Sequence, residues 1–346
     1  MHAIKRQKRN RIIILVTGFI VLMLLSVAGL TIGSSGLTIL NIPELLLGKG
    51  DEVSRQILFH IRWPRVLAAI LSGVALSVSG AVIQTVIRNP LGSPYTLGLS
   101  AASMFGAALA IVLLGYAAQH GIAQSLKNSP YLITLSAFIW GMACTFLITG
   151  FARWRGASPE TLIMAGIILS ALFGSATSLM QYISNDVELA AIVSWMFGDL
   201  GKATNQNTLF LLVVIIPSMA YFIYNTFNLS TLNAGDEVAS SLGINVNRLR
   251  MITVLTASLC TAVTVAFFGV IAFVGLIIPH VTRRLVGFNE TYVITGSAIF
   301  GALFLLASDI VARTIVAPVV IPVGIITSFI GAPFFLYLLF NRIKKR

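Results

Sequence analysis

Charged residues are scarce in this chain. Only 10% of its 346 residues are Asp, Glu, Lys or Arg, whereas 57% are hydrophobic. A soluble domain usually carries about 25% charged residues, because polar groups must cover its surface. The composition therefore excludes an ordinary soluble globule and indicates a protein whose solvent is the lipid bilayer.

Cysteines are few, and motifs that hold metals or nucleotides are missing. The 2 cysteines, Cys144 and Cys260, each lie inside an apolar run, so we expect small buried thiols rather than a disulfide framework. The sequence contains neither the HExxH zinc motif nor the GxxxxGK[ST] phosphate loop. We therefore expect that this chain binds no metal and no cofactor and is not itself an enzyme.

Ionisable side chains are nearly absent from the apolar runs. Secondary transporters usually carry such groups near the membrane midplane as ion or proton relays. An intramembrane enzyme would need paired ionisable groups there, and only Asp309 with Arg313, at the end of a run, approaches such a pair. The energy for any transport by this chain is thus expected to come from another subunit.

The apolar runs predict an all-α, polytopic membrane protein with about ten transmembrane helices. A spanning helix needs about 20 mostly apolar residues, because its backbone must satisfy its own hydrogen bonds in lipid. Nine runs meet this length and 274–286 is shorter. The runs are 12–32, 64–86, 94–115, 131–151, 160–183, 206–227, 251–272, 274–286, 292–314 and 321–340. We expect one transmembrane domain over 1–346, since no polar stretch is long enough for a soluble domain.

The basic residues predict the orientation of these runs. The net charge of +12 is spread over short segments between apolar runs, a distribution that argues against nucleic-acid binding and follows the positive-inside rule. With ten alternating spans, sixteen of the 23 Lys and Arg residues fall on the cytoplasmic side. Both termini are then cytoplasmic. Omitting 274–286 would place the basic tail 342–346 outside, so the charges favour ten spans.

Two polar segments between the runs have distinct local patterns. Asn89 and Pro90, in the RNPL sequence that begins at Arg88, predict a tight turn between two spans because proline ends a helix. The loop 228–250 predicts a short surface helix, with Asp236 and Glu237 in its first turn and Gly243 at its C-terminal cap. Such a loop is either a solvated connector or a docking helix for a cytoplasmic partner.

Two further motifs lie toward the C-terminus. In GVIAFVGLIIPHVTRR, from Gly269, we expect Gly275 and Pro279 to bend the backbone at membrane depth. In the sequence DIVAR, Asp309 and Arg313 are four residues apart on one helix face, a spacing that predicts an ion pair. The pair is either purely structural or part of a binding surface.

Taken in order, these motifs resemble the FecCD family, the permeases of ATP-binding-cassette (ABC) importers for ferric siderophores, haem and cobalamin. The resemblance runs from about Arg62 to the C-terminus. It rests on the combination RxPR, SGAxxQ, RNPL, GxIxFVGLxxPHxxR, DxxAR and PxGxxTxxxGxPxF, because each fragment alone would be weak. The resemblance implies ten helices per permease and a multi-pass protein of the cytoplasmic membrane.

The resemblance also implies partners and roles for particular residues. The partners are a second permease subunit, identical or paralogous, two cytoplasmic ATPase subunits that bind ATP and Mg²⁺, and an extracytoplasmic substrate-binding protein. Arg62, Arg65 and Arg313 match the positions that receive acidic residues of the binding protein. The ATPase contact matches Asp236, Glu237, Leu242 and Gly243. The chain breaks near Gly198, Gly275 and Pro279 are candidates for gating the pathway.

The expected cargo is a ferric siderophore, which the resemblance favours over haem and cobalamin because this cargo is common in the family. The pathway walls of this family carry few distinctive chemical groups, and no residue in the sequence selects one chelate. Two other classes of function remain: an intramembrane enzyme, and a signalling or scaffold membrane protein. Co-purification with an ATPase subunit distinguishes the permease from the scaffold.

Overall fold

A computed structural model describes residues 2–33, 44–45, 51–120, 131–154 and 158–343. These residues are predominantly α-helical, and no β-strand occurs among them. The all-α prediction is therefore confirmed. Some basic residues used to predict orientation lie outside the described ranges: Lys49, Lys127, Arg155, Lys344, Lys345 and Arg346.

Fourteen α-helices organise the described residues, together with a π-helical stretch at Ile57–Arg62 and a short 3₁₀ turn at Leu200–Lys202. The α-helices are α1 His2–Thr31, α2 Glu52–Gln56, α3 Trp63–Ile87, α4 Leu99–Gln119, α5 Tyr131–Trp154, α6 Pro159–Ile183, α7 Asp186–Met196, α8 Asn205–Tyr224, α9 Thr226–Asn233, α10 Asp236–Ser241, α11 Val246–Phe268, α12 Val274–Val286, α13 Glu290–Thr314 and α14 Val323–Ile343.

Each of the ten predicted runs corresponds to one helix. In the described part of the chain, eight helical segments are long and apolar enough to cross a membrane, counting α2, the π-helical stretch and α3 as one segment. The other two runs correspond to α12, which has 13 residues, and to α14, whose side chains the structure describes over the apolar stretch Val323–Tyr337. The count of ten spans and the side on which each terminus lies remain predictions.

Some short helices between the runs were missed by the sequence analysis. The clearest is α7, which lies between the predicted runs 160–183 and 206–227. Its start is fixed by a capping box, because Asn185 Oδ1 accepts from the Glu188 amide while the Glu188 carboxylate accepts from the Asn185 amide. The pattern N-x-x-E at 185–188 was therefore a readable signal for this helix.

The chain divides into two compact units. Unit 1 comprises Met1–Val78, Asp199–Ile216 and Ala272–Arg346. Within it, α13 packs against α1, α12 and α14, and α3 approaches α13 so closely that a Cβ on Gly73 would clash with the Gly301 carbonyl. Beside this contact, the Ser77 hydroxyl donates to the Ser297 carbonyl at 2.7 Å. Small residues thus let the two helices approach closely. Close packing and hydrogen bonds hold helices together in a membrane, because an apolar side chain gains little by exchanging lipid for protein.

Unit 2 comprises Ser79–Gly198 and Pro217–Ile271. Within it, α5 packs against α4 and α11, and α4 packs against α6. The Ser136 hydroxyl donates to the Gly106 carbonyl at 2.6 Å and the Ser79 hydroxyl to the Ala257 carbonyl at 2.9 Å. Cys144 and Cys260 are buried and free, as the sequence predicted.

The break in the GVIAFVGL motif is not where the sequence analysis placed it. The non-helical residues are 269–273, between α11 and α12. Gly275 lies in the first turn of α12 and Pro279 is buried inside it. The chain leaves α11 at Gly269, whose φ of +76° suits glycine, and a Cβ there would clash with the Trp195 carbonyl. Backbone packing, rather than proline, therefore sets the break.

Candidate functional site

Asp309 in α13 is held between two arginines at the predicted outer end of unit 1. Its Oδ1 lies 2.9 Å from Arg65 Nη2 in α3, and its Oδ2 lies 3.1 Å from Arg313 Nε. The predicted pair with Arg313 is confirmed, and Arg65 is a second partner 244 positions away in the chain. The carboxylate is fully buried, so it needs both cations because a lone buried charge is costly.

Arg62, Arg65 and Arg313, the three positions predicted to dock the binding protein, all have largely buried side chains. Arg62 is 5% exposed and donates to the Leu30 carbonyl at 2.7 Å. The side chains of Arg65 and Arg313 are 11% and 8% exposed. In this conformation Arg62, at the end of the π-helical stretch, and Arg313, in α13, both donate to backbone carbonyls of α1, while Arg65 joins α3 to α13. Their contact with a binding protein remains a prediction.

Helix α10 confirms the short helix that was predicted within the loop 228–250. Asp236 and Glu237 occupy its first turn. At its other end Gly243 has a φ of +80°, its amide donates to the Ser240 carbonyl at 3.0 Å, and the Ile244 amide donates to the Ala239 carbonyl at 3.0 Å. This pair of bonds is a Schellman motif, which needs a left-handed residue at the position of Gly243.

Asp236 does not project freely from α10. Its carboxylate accepts two hydrogen bonds from Arg250 Nη2, at 2.9 and 3.0 Å, and lies 3.4 Å from Arg88 Nη2. The Arg250 side chain is 2% exposed and also donates from Nε to the Val86 carbonyl at 2.9 Å. Asp236 therefore anchors α10 to α11 and to the end of α3, while its side chain stays 36% exposed, so its contact with an ATPase remains a prediction.

Arg88 has an unusual backbone that this ion pair helps to hold. Its φ is +52°, a left-handed conformation in which a residue with a Cβ is uncommon. The Arg88 amide donates to the Thr85 carbonyl and the Asn89 amide to the Gln84 carbonyl, both at 3.1 Å. Arg88 thus ends α3 in the place that glycine usually takes.

The RNPL segment forms the predicted turn between two spans. Asn89 Oδ1 accepts from the Leu91 amide at 2.9 Å, an Asx turn that holds Pro90 at its bend. Asn89 does not cap the following helix, because α4 begins only at Leu99, after Gly98. The turn therefore extends over residues 88–98, longer than the sequence analysis expected.

The exposed side chains of α10 and of Leu242, the residue that follows it, form a small mixed surface. Leu242 and Val238 are 60% and 44% exposed, and Glu237 is exposed beside them. An apolar centre with a polar neighbour is a usual composition for a protein contact. Of the four residues predicted at the ATPase contact, Glu237, Leu242 and Gly243 are exposed and the Asp236 side chain is 36% exposed. Their contact with an ATPase remains a prediction.

The three predicted gating residues fall in both units. In unit 2, Gly198 has a φ of +66° and packs so closely on the Val270 carbonyl that a Cβ would clash with it. In unit 1, Gly275 and Pro279 lie in α12, just after Phe273, whose φ is +68°. A Cβ on Gly331 of α14 would clash with the Phe273 ring. These are close-packed breaks, and their gating role remains a prediction.

Arg65, Arg88 and Arg250 were not singled out as partners of the two acids. The predicted topology nevertheless contained the signal, because it places Arg65 with Asp309 on one side of the membrane and Arg88, Arg250 and Asp236 on the other. The structure brings together the members of each set. Each set that the predicted topology grouped on one side thus forms one ion-pair cluster.

Comparison with known proteins places these features in a family. The FecCD transport family matches residues 19–341. An ABC transporter permease protein of Methanocaldococcus jannaschii, MJ0087, is 44% identical over 99% of this chain and 98% of its own length. The hemin transport permease HmuU of Yersinia pestis is 35% identical over 96% and 97%, and the Fe(3+)-citrate import permease YfmE of Bacillus subtilis is 36% identical over 99% and 98%.

A solved structure has the same fold. An ABC transporter of the metal-chelate type, in an inward-facing conformation, superposes with a TM-score of 0.81 at 32% identity, covering 95% of this chain and 99% of that one. The family match extends over nearly all of the described helices and includes both ion-pair clusters. This chain therefore belongs to the FecCD transport family and is a multi-pass permease of the cytoplasmic membrane.

Proposed function

We propose that this permease carries a ferric siderophore across the cytoplasmic membrane, driven by ATP that a separate ABC ATPase hydrolyses. The main support for this proposal is the family match over residues 19–341. Relatives of similar length named for Fe(3+)-citrate and hemin support an iron chelate as cargo. Hemin is the second candidate, because HmuU is 35% identical over 96% of this chain.

The proposed assembly has a second permease subunit, identical or paralogous, two ATPase subunits that bind ATP and Mg²⁺, and an extracytoplasmic substrate-binding protein. The surface of α10 formed by Glu237, Val238 and Leu242 supports an ATPase contact, because two of these side chains are exposed and apolar. Asp236 would transmit movement of α10 to Arg88 and Arg250, through ion pairs of 3.4 and 2.9 Å.

Uptake of labelled cargo tests the function. Cells lacking the gene, and the same cells complemented with it, receive ⁵⁵Fe as a panel of siderophores and as ferric citrate, with hemin and cobalamin measured alongside. We expect loss of uptake for one siderophore class and its recovery on complementation. Loss for hemin alone would establish the second candidate instead. Complementation that restores none of these cargoes, in a strain without a redundant importer, would contradict the assignment to iron chelates.

A further inference from the structure

Exposed basic side chains gather where α1 begins and α12 ends in unit 1. Helix α1 begins at His2, and the side chains from Lys5 to Arg9 that bear charge are all exposed. Arg11 is half-buried, and Arg284 is exposed near the end of α12, which contacts α1. We name this set the basic collar: Lys5, Arg6, Lys8, Arg9, Arg11 and Arg284.

Within the described residues of α1, α12 and α13, no exposed acidic side chain faces the basic collar. The sequence has no Asp or Glu in residues 2–33 or 274–289. Helix α13, which packs against α1, has two acids, and both side chains are fully buried. Glu290 pairs with Arg283 at 3.6 Å, and Asp309 pairs with Arg65 and Arg313. The positive charge of the collar is therefore available to an external anion.

The geometry of α1 sets the depth of the basic collar. At 1.5 Å per residue, Lys5 to Arg11 extends over roughly 9 Å of helix. Exposed apolar side chains follow at once, beginning with Ile12 and Ile13 at 46% and 53% exposure. An exposed apolar surface on a spanning helix faces acyl chains, so the collar stands at the level of the lipid headgroups.

Two contacts fix this part of α1, one to the first turn of α13 and one to the loop between α12 and α13. The Arg11 guanidinium carbon lies 5.3 Å from the centroid of the Tyr292 ring, and a Cβ on Gly287 would stand 2.8 Å from Arg11 Nη2. Next to Gly287, the Phe288 ring is 78% exposed. An exposed aromatic ring beside basic groups is typical of a residue anchored at the membrane interface.

We propose that the basic collar, with Phe288, binds the phosphates of anionic phospholipids. Clusters of four to eight Lys and Arg residues next to a spanning helix attract anionic headgroups, and Phe288 would enter the acyl boundary beside them. A lipid fits better than a protein partner, because the charges encircle a helix whose next turns already face acyl chains. The permease would therefore collect anionic lipid at this end of α1.

The test uses the full chain with Phe288→Trp as a local reporter, reconstituted in phosphatidylcholine vesicles. Trp fluorescence is quenched by dibrominated phosphatidylglycerol or dibrominated phosphatidylcholine, and the same chain with Phe288 intact provides the background. We expect phosphatidylglycerol to be favoured at least fivefold at low salt. The preference should fall toward one at 0.5 M salt, where the screening length is only a few ångströms.

Two triple variants separate the collar from general charge. Replacing Arg6, Lys8 and Arg9 with Gln should reduce the preference to within twofold of one. Replacing three exposed basic residues elsewhere, Arg55, Arg153 and Lys202, should leave it unchanged. Native mass spectrometry of the chain with Phe288 intact should likewise show phosphatidylglycerol retained by the parent and the control and lost by the collar variant.

Three results would overturn the proposal. One is equal quenching by both lipids in the chain with its collar intact. Another is a lipid preference that the collar variant keeps in both measurements. The third is a collar variant that keeps its lipids but no longer co-purifies with an ATPase subunit, which would assign the surface to a protein partner.

Discussion

At the scale of single residues, we expect the buried charges to affect the stability of the protein most. Asp309 has no exposed surface, and its two carboxylate oxygens face Arg65 and Arg313. The desolvation of three charges is offset only while the set is complete. Reversing the charge of Arg65 would place two carboxylates side by side, so such a variant would disturb α3 and α13 before it affected any docking partner.

We predict that Asp309→Asn destabilises the protein by about 3 kcal/mol, because it leaves two buried guanidinium groups without a counter-charge. The measurement is the free energy of unfolding in detergent, followed by circular dichroism. Glu52→Gln is the matched control: Glu52 is exposed and lies 4.0 Å from Arg55, and its loss should change stability by less than about 0.5 kcal/mol. Equal stability of the two variants would show that Asp309 is dispensable for the packing of unit 1.

At the scale of elements, α10 owes its form to its two ends. Asp236 ties the first turn to Arg250 and Arg88, and Gly243 closes the last turn with a left-handed backbone. A Cβ on Gly243 would meet no atom within 4 Å. The requirement for glycine there is consequently conformational, and a small side chain tests it without a clash.

We predict opposite effects for two Gly→Ala substitutions that both place a methyl group in open space. Gly243→Ala should cost about 1 kcal/mol, since alanine is strained at a φ of +80°. Gly150→Ala should stabilise by about 0.5–1 kcal/mol, since Gly150 lies inside α5 and its Cβ would also meet no atom. Unfolding free energies of the two variants, measured together, check the sign of each effect.

At the scale of the whole molecule, the energy source lies outside the chain in our proposal, so one surface must receive it. Glu237 and Val238 of α10, with Leu242 after it, are exposed, while Asp236 binds Arg250. A partner that moves α10 would therefore also move the ends of α3 and α11, to which Asp236 is bound.

We predict that Leu242→Glu reduces co-purification of the ATPase subunit at least fivefold, because it replaces the most exposed apolar side chain of this surface with a charge. Val53→Glu is the control: Val53 is 62% exposed in α2, in a segment predicted to lie on the opposite side of the membrane. Unchanged ATPase retention in the Leu242 variant, with normal uptake, would mean that α10 is a connector.

The sequence by itself determined the long helices and the two ends of α10. Long apolar runs must be helical in lipid, because no water satisfies the backbone, and each of the ten predicted runs corresponds to a helix. The same holds for α10, whose acidic first turn and C-terminal glycine act within a few residues of one another. Motif order also sufficed to identify the family, which the profile match over residues 19–341 confirmed.

Only the tertiary structure decided how the charges are used. Arg65 and Asp309 are 244 positions apart, and Arg250 reaches the Val86 carbonyl across 164 positions, so no local pattern could predict that these arginines turn inward. The helix break at 269–273 likewise depends on the Trp195 carbonyl packing against Gly269. Secondary structure depends on residues close together in the chain. A buried charge is instead stabilised by an opposite charge that the fold brings close to it, from any part of the chain.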